Sequence, residues 1–290
     1  MTPEWHDLAE EDRGLLYDLP TLMSRRRALG LLGGLGVAGV LAACSSSSGS
    51  QTSTATTSAP TTAITSAPGS SASSSTSATA TDDVAEVPDE TAGPYPGDGS
   101  NGPDVLTRSG IVRRDITRSF GSSTTQAEGL PLTVALTVRD ATTGEARDGV
   151  AVYLWQCNRD GKYSLYAQGL TGENYLRGVQ PTDATGTATF TSIFPACYDG
   201  RWPHIHFEVY ETVANATANG QIVKTSQIAL PKGACEAVYA TSGYEQSVQN
   251  LGRVSLQSDL VFGDDAGIHQ LATMSGSVAT GYTAGLTIGV

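Results

Sequence analysis

The stretch Tyr198-Asp199-Gly200-Arg201-Trp202-Pro203-His204-Ile205-His206-Phe207-Glu208-Val209-Tyr210 decides how the chain is read. From His204 onward, polar residues alternate with apolar ones, and the pattern has period two. Such alternation, rich in β-branched and aromatic residues, predicts a strand. Side chains on a strand alternate faces, so His204 and His206 project from the same face. The Asp-Gly and Trp-Pro steps before them predict a tight loop that brings Tyr198 and Arg201 to the start of that strand. Two imidazoles, a phenol and a guanidinium make a candidate metal site with a charge partner. A bare His-x-His pair is also what an ordinary surface strand carries. Histidine usage favours the site, because the chain has four histidines (His6, His204, His206 and His269) and two of them fall here.

Outward from this strand, short runs of strand character recur at 130–138, 150–157, 186–190, 222–230, 254–262 and 276–289, with 204–211 among them. Turn signals separate them, the strongest being Asn158-Arg159-Asp160-Gly161. The one helical candidate is 232–240, after Pro231. The predicted fold is an all-β sandwich of mainly antiparallel strands with long loops and at most one or two short helices.

Not all 290 residues are expected to fold. Ser24-Arg25-Arg26-Arg27-Ala28-Leu29 is a twin-arginine pattern, and an uncharged run over 28–43 follows it. That run is short for a membrane span and has the length of a signal-peptide core. It ends in Leu41-Ala42-Ala43-Cys44, which looks like a bacterial lipobox and implies cleavage before Cys44 and lipidation of its thiol. Gly34, Gly36 and Gly39 fit Gly-x-Gly-x-x-Gly. No strand precedes them and no acidic ribose-binding position follows, so a dinucleotide site is rejected. From 45 to 81 the chain is almost entirely Ser, Thr, Ala, Pro and Gly, which cannot offset the entropy of ordering. The expected organisation is an export signal at 1–44, a flexible tether at 45–81 and one folded domain at 82–290. The expected location is the outer face of a bacterial cell membrane, with membrane contact through the N-terminal lipid only. The formal net charge of −12 argues against nucleic acid as a partner.

Beyond Cys44 the cysteines are Cys157, Cys197 and Cys235. In an oxidising compartment three thiols permit one bridge and leave one over. Cys157 ends an apolar run and is expected to be a buried free thiol. A Cys197–Cys235 disulfide is then the expected bridge, with three reduced thiols as the alternative. No Cys-x-x-Cys points to zinc.

Tyr163, just after the Asn158–Gly161 turn, joins Tyr198, His204 and His206 as a fourth candidate ligand. Phenolate is a hard anionic ligand that suits a trivalent ion, and imidazole suits iron, copper or zinc, so the mixed set tilts toward Fe(III). A metal lowers the phenol pKa enough to ionise it near neutral pH. Taken singly, either tyrosine could be an ordinary packing residue among eleven. The order of motifs carries more weight. Tyr153-Leu-Trp155-Gln156-Cys-Asn158-Arg-Asp-Gly161-Lys-Tyr163 comes first, then Leu176-Arg177-Gly178-Val-Gln180-Pro-Thr-Asp183 and Gly186-Thr-Ala-Thr-Phe190. Tyr198, Arg201-Trp-Pro-His204-Ile-His206-Phe207 and Thr225-Ser226-Gln227 follow, with Gly93-Pro94-Tyr95 ahead of them all. Over roughly residues 90–275 this order resembles the intradiol ring-cleavage dioxygenases, the family of catechol 1,2- and protocatechuate 3,4-dioxygenases.

The resemblance implies a mononuclear non-haem Fe(III) site held by Tyr163, Tyr198, His204 and His206. By position, Tyr198 and His206 look like axial ligands, with Tyr198 the one that substrate displaces. The implied partners are a catechol-type small molecule and O2, and the implied product is a cis,cis-muconate-type diacid. Arg201 is implied to stabilise negative charge that develops on the ring, and Gln227 to sit beside substrate or the ligands. Trp155 and Gln156 would line or support the pocket, although a core tryptophan serves equally well. Two departures stand out. Only two residues separate Tyr198 from Arg201, and the helical N-terminal dimerisation region of catechol 1,2-dioxygenases is missing. The alternative function is an extracellular, non-catalytic β-sandwich that binds or holds iron. A copper site would want a third histidine, and His269 is unplaced.

Overall fold

The computed structural model describes residues 84–290. The twin-arginine and lipobox segment, Cys44 and the whole of the tether lie outside the described residues. Among these residues eight strands form two four-stranded sheets. The strands are β1 (Pro131–Arg139), β2 (Ala151–Trp155), β3 (Arg177–Pro181), β4 (Thr187–Ile193), β5 (His204–Tyr210), β6 (Ile222–Ala229), β7 (Thr273–Ser277) and β8 (Gly281–Gly289). One sheet runs β4-β1-β8-β7 and the other β3-β2-β5-β6. All pairings are antiparallel except β1 with β8, which is parallel. The all-β sandwich is therefore the observed architecture. Among the described residues three short helices accompany it: α1 (Val213–Ala216), α2 (Lys232–Tyr239) and α3 (Glu245–Leu251). Among the described residues no helix is long and apolar enough to cross a membrane.

Sequence alternation builds the layer between the sheets. Leu132, Val134, Leu136 and Val138 of β1 point inward and meet Val152 and Leu154 of β2 and Ile205, Phe207 and Val209 of β5. Each such side chain contributes about 1.5–3 kcal/mol on burial. β5 departs from a sandwich strand in one respect: all seven of its residues are buried. Its polar face, bearing His204, His206, Glu208 and Tyr210, does not look at water. A second apolar layer covers that side, where Val105, Leu106, Ile111 and Leu165 pack with Ala151, Tyr153, Trp155 and Tyr210. The lead-in segment is fastened over the same face. Lys224 pairs with Glu86 at 2.8 Å and Asp89 at 3.3 Å, and the Glu90 N–H donates to Thr225 O. At its other end Arg177 donates to Pro96 O at 2.7 Å and Tyr95 O at 2.9 Å.

Four expectations need correction. The run at 254–262 is a series of turns rather than a strand. There the buried carboxylate of Asp259 accepts the N–H groups of Val261 and Phe262, which bends the chain. The run at 276–289 is a hairpin, not one strand, because Gly276 and Gly281 both adopt positive φ. A Cβ on Gly276 would lie 2.2 Å from Gly281 O. Helix α3 escaped the hydrophobic pattern because it buries Ser247 and Asn250. These take the Cys197 N–H and donate to the Cys197 carbonyl, so its docking is polar. Finally, Cys197 and Cys235 are free buried thiols, not a disulfide. Each thiol turns to a backbone carbonyl instead, Cys197 to Arg201 O at 3.4 Å and Cys235 to Leu230 O at 3.8 Å. Cys157 is free and buried as expected, and burial pushes its thiol up to about 12.

Candidate metal centre

Strand register assembles the site. In β5, His206 lies opposite Trp155 of β2 on one side and Gln227 of β6 on the other. Directly paired residues share a face, so three strands deliver one row, Trp155–His206–Gln227. The Trp155 ring stacks on His206 with centroids 4.9 Å apart and planes 7° from parallel. Gly93, at a φ of +70°, also approaches the imidazole. A Cβ there would sit 3.3 Å from His206 Cε1. Gly161, at φ +77°, closes the turn after β2 and brings the Tyr163 ring within 6.1 Å of both Tyr198 and His206. Helix α3 grips the Cys197 backbone and so sets the adjacent Tyr198.

The four residues expected as ligands converge. His204 Nε2 lies 3.1 Å from the Tyr198 hydroxyl and 3.1 Å from His206 Nε2. His204 Nδ1 sits 2.6 Å from Trp202 O, which fixes its N–H on Nδ1 and leaves Nε2 as a lone pair facing the cluster. The Tyr198 hydroxyl and His206 Nε2 both face that lone pair. The Tyr163 hydroxyl is buried with no hydrogen-bond partner, as is His206 Nδ1. Tyr163, His204 and His206 are nearly fully buried, whereas Tyr198 is half-buried. A cavity of about 200 Å3, lined by Arg159, Asp199, Asn250 and Arg253 among others, opens beside Tyr198.

Burial sets the protonation states of these groups. Burial, the Tyr198 phenol and the Cys157 thiol push Tyr163 well above the usual phenol range. Burial, His204 and Arg201 push His206 well below the usual imidazole range. Burial and Arg201 lower His204 too. Both imidazoles are therefore neutral near pH 7, the form that binds metals. A positive ion among these four groups would draw on the facing nitrogen lone pairs and give the orphaned phenol a partner. The donor set thus fits a hard trivalent ion. No group of three or more His, Cys, Asp or Glu among the described residues is placed to hold a metal, so a shell here needs the phenols.

Arg201 lies beside this cluster, buried, and donates through Nη2 to Gln227 Oε1 at 2.7 Å. Gln227 Nε2 donates to Thr91 O at 2.9 Å, tying the pair to the lead-in segment. The sequence reading missed Asp259, which accepts from Arg201 Nε at 3.1 Å and Nη2 at 3.4 Å. Nothing in the local sequence marks it, since it lies far along the chain in a run read as a strand. Gln156 does not join the site. Its amide donates to Ile193 O at 2.8 Å and accepts from Ser192, bridging toward β4. His269 is exposed on a turn and brings no third imidazole.

The fold and the site define an all-β sandwich in which two imidazoles on β5 meet two phenols from the loops beside it. Residues 101–221 match the family model described as Dioxygenase. No curated protein matches the chain in sequence. Among solved structures, the chain is similar to an intradiol ring-cleavage dioxygenase from Tetranychus urticae, at 24% identity and a TM-score of 0.55, covering 71% of this chain and 94% of that one. A second dioxygenase gives the same identity and coverage with a TM-score of 0.56. The dioxygenase domain of a carbohydrate-binding fusion protein from Streptomyces sp. SirexAA-E matches at 20% identity and a TM-score of 0.45, over 71% of this chain and 97% of that one. The resemblance to intradiol ring-cleavage dioxygenases thus holds for the matched segment in sequence and for the domain in fold.

Proposed function

We propose that this protein is a non-haem Fe(III)-dependent intradiol dioxygenase that cleaves a catechol-type diol with O2 to a cis,cis-muconate-type diacid. The observation that carries this reading is the convergence of His204 Nε2, His206 Nε2 and the Tyr198 hydroxyl at 3.1 Å separations, beside the orphaned Tyr163 hydroxyl. Tyr163, Tyr198, His204 and His206 would hold the ion. A bound ferric ion would supply Lewis acidity, drawing charge from a deprotonated catechol so that its ring reacts with O2.

The chain's own residues divide the remaining work. Tyr198 is the least buried of the four, so it is the ligand able to yield its place and take up a catechol proton at its Oη. Arg201 presents a fixed cation where negative charge grows on a ring carbon, and such preorganised charge needs no rearrangement during reaction. Gln227 holds that guanidinium at 2.7 Å and links it to Thr91. Trp155 stacks on His206 and Gly93 packs close to it, so its lone pair keeps one direction. The buried face of β5 keeps bulk water from the reacting ring. Both oxygen atoms of O2 end in the diacid. We further propose that the enzyme acts outside the cell, held by a lipid on Cys44.

The test is the visible spectrum of the purified full-length protein before and after catechol is added without oxygen. A broad tyrosinate-to-ferric band that shifts with catechol and vanishes in Tyr163→Phe supports the reading, and muconate-type product on admitting O2 completes it. A colourless protein that takes up no iron on reconstitution overturns it and leaves the binding-module alternative.

A further inference from the structure

We propose that Asp259 is a positioning residue for this centre, holding at once the Arg201 guanidinium and, through the Trp202 backbone, the His204 ring. The inference rests on the dioxygenase reading of the pocket. The Asp259 side chain is wholly buried and faces Arg201, itself 4% exposed. Its carboxylate accepts five hydrogen bonds. Two come from the guanidinium, at 3.1 Å and 3.4 Å. One comes from the Trp202 N–H at 2.6 Å. Two come from Val261 at 2.8 Å and Phe262 at 3.1 Å. The same Trp202 whose N–H it takes offers its carbonyl to His204 Nδ1 at 2.6 Å. The Phe262 ring, set by the Asp259 turn, meets His204 edge-on with centroids 6.5 Å apart.

The physical consequence is directional. A guanidinium is a planar fork, and its orientation is fixed only when partners hold it in that plane. Asp259 engages Nε and Nη2 while Gln227 engages Nη2, so two residues from separate segments pin one edge of the fork. The charge of Arg201 then stands at one place beside the cluster. On the backbone side, Asp259 fixes Trp202, whose carbonyl selects the His204 tautomer that keeps Nε2 unprotonated. A change at Asp259 therefore acts on both groups without touching substrate. Because orientation counts most in the transition state, the expected loss falls on kcat rather than KM.

The experiment compares Asp259→Asn, Arg201→Ala and the double variant in the full-length, iron-loaded protein, with a crystal structure of Asp259→Asn. Asn keeps one oxygen, which can serve the Val261 and Phe262 N–H groups, but it turns an NH2 toward the Trp202 N–H and loses the counter-charge. The expected result is a fall in kcat for catechol cleavage of roughly 10–100-fold with little change in KM, shrinking severalfold when Arg201 is already Ala and leaving only the part that runs through Trp202 to His204. The crystal structure should show the guanidinium withdrawn from Gln227 with the fold kept. An equal loss of kcat in both backgrounds, or a guanidinium still seated on Gln227, overturns the proposal and leaves Asp259 as a turn cap only. Should Asp259→Asn fail to fold, Asp259→Glu, which keeps the charge but displaces it by one methylene, is judged by the same two criteria. A wild-type protein that never cleaves catechol refutes the dioxygenase reading instead. The crystallographic comparison then decides the role of Asp259 alone, as it does wherever turnover is below detection.

Discussion

Replacing Arg201 by Met should destabilise the metal-free protein, and adding Asp259→Asn should restore part of the loss. Both side chains are almost fully removed from solvent, at 4% and 0% exposure. Burial pushes the Asp259 carboxyl up, but Arg201, the Trp202 N–H and His204 together hold it below the usual carboxylate range, so it is charged at pH 7. Removing one member of a buried pair costs about 3–5 kcal/mol, because the other charge is left without its partner. Asp259 would keep three backbone N–H donors, so Arg201→Met belongs at the lower end, about 3 kcal/mol. In a domain of this size that is a drop in Tm of about 6–12 °C. In the double variant neither charge remains, and the loss should shrink to about 1–2 kcal/mol. Urea and thermal unfolding followed by circular dichroism at pH 7 measure all three variants. Single-variant losses that add to within about 0.5 kcal/mol in the double would refute the idea that the two charges depend on each other.

Stability of the metal-free protein should also depend on pH, with a sign that can be worked out. His204 and His206 titrate well below 6.5 when folded, so below 6.5 the unfolded chain binds two more protons than the folded one, and stability falls with falling pH. Burial raises Glu208 from 4.5 to about 7, so between those values the folded chain holds one more proton and offsets one imidazole. The net slope from 6.5 down to 4.5 should be a loss of about 1.4 kcal/mol per pH unit, and Glu208→Gln should double it; an unchanged slope in that variant would count against the assignment. Tyr163→Phe removes a buried hydroxyl that lacks a partner, so the metal-free protein should keep or gain up to about 1 kcal/mol in urea unfolding. The same variant should lose the visible band. Gly93→Ala forces a Cβ onto the His206 ring at a φ of +70°; it should cost about 1–2 kcal/mol in thermal unfolding and weaken iron retention in metal analysis.

Much of this architecture was legible in the chain itself, for a physical reason. Strand periodicity is local, so Leu132–Val138 and His204–Tyr210 declare their faces within a few residues. Two histidines at i and i+2 must share a side, and the Asn158–Gly161 turn announces the loop that carries Tyr163. Hydrophobic pattern misled where burial was polar. Helix α3 docks through Ser247 and Asn250, and 254–262 bends around the Asp259 carboxylate although its composition suits a strand. The spacing of Cys197 and Cys235 allowed a bridge, yet each thiol points to a carbonyl, and side-chain direction is set by packing that no spacing encodes.

The sequence by itself therefore determined the sandwich class, the convergence of His204 and His206, and the two phenols as candidates to join them. Tertiary structure alone decided that the polar face of β5 is roofed rather than wet. The lead-in segment and a second apolar layer close over it. It alone also decided that Asp259, 58 residues from Arg201, stands behind the cation. Register and closure are long-range pairings, fixed by how separate segments exclude water together, and no local window of the chain contains them.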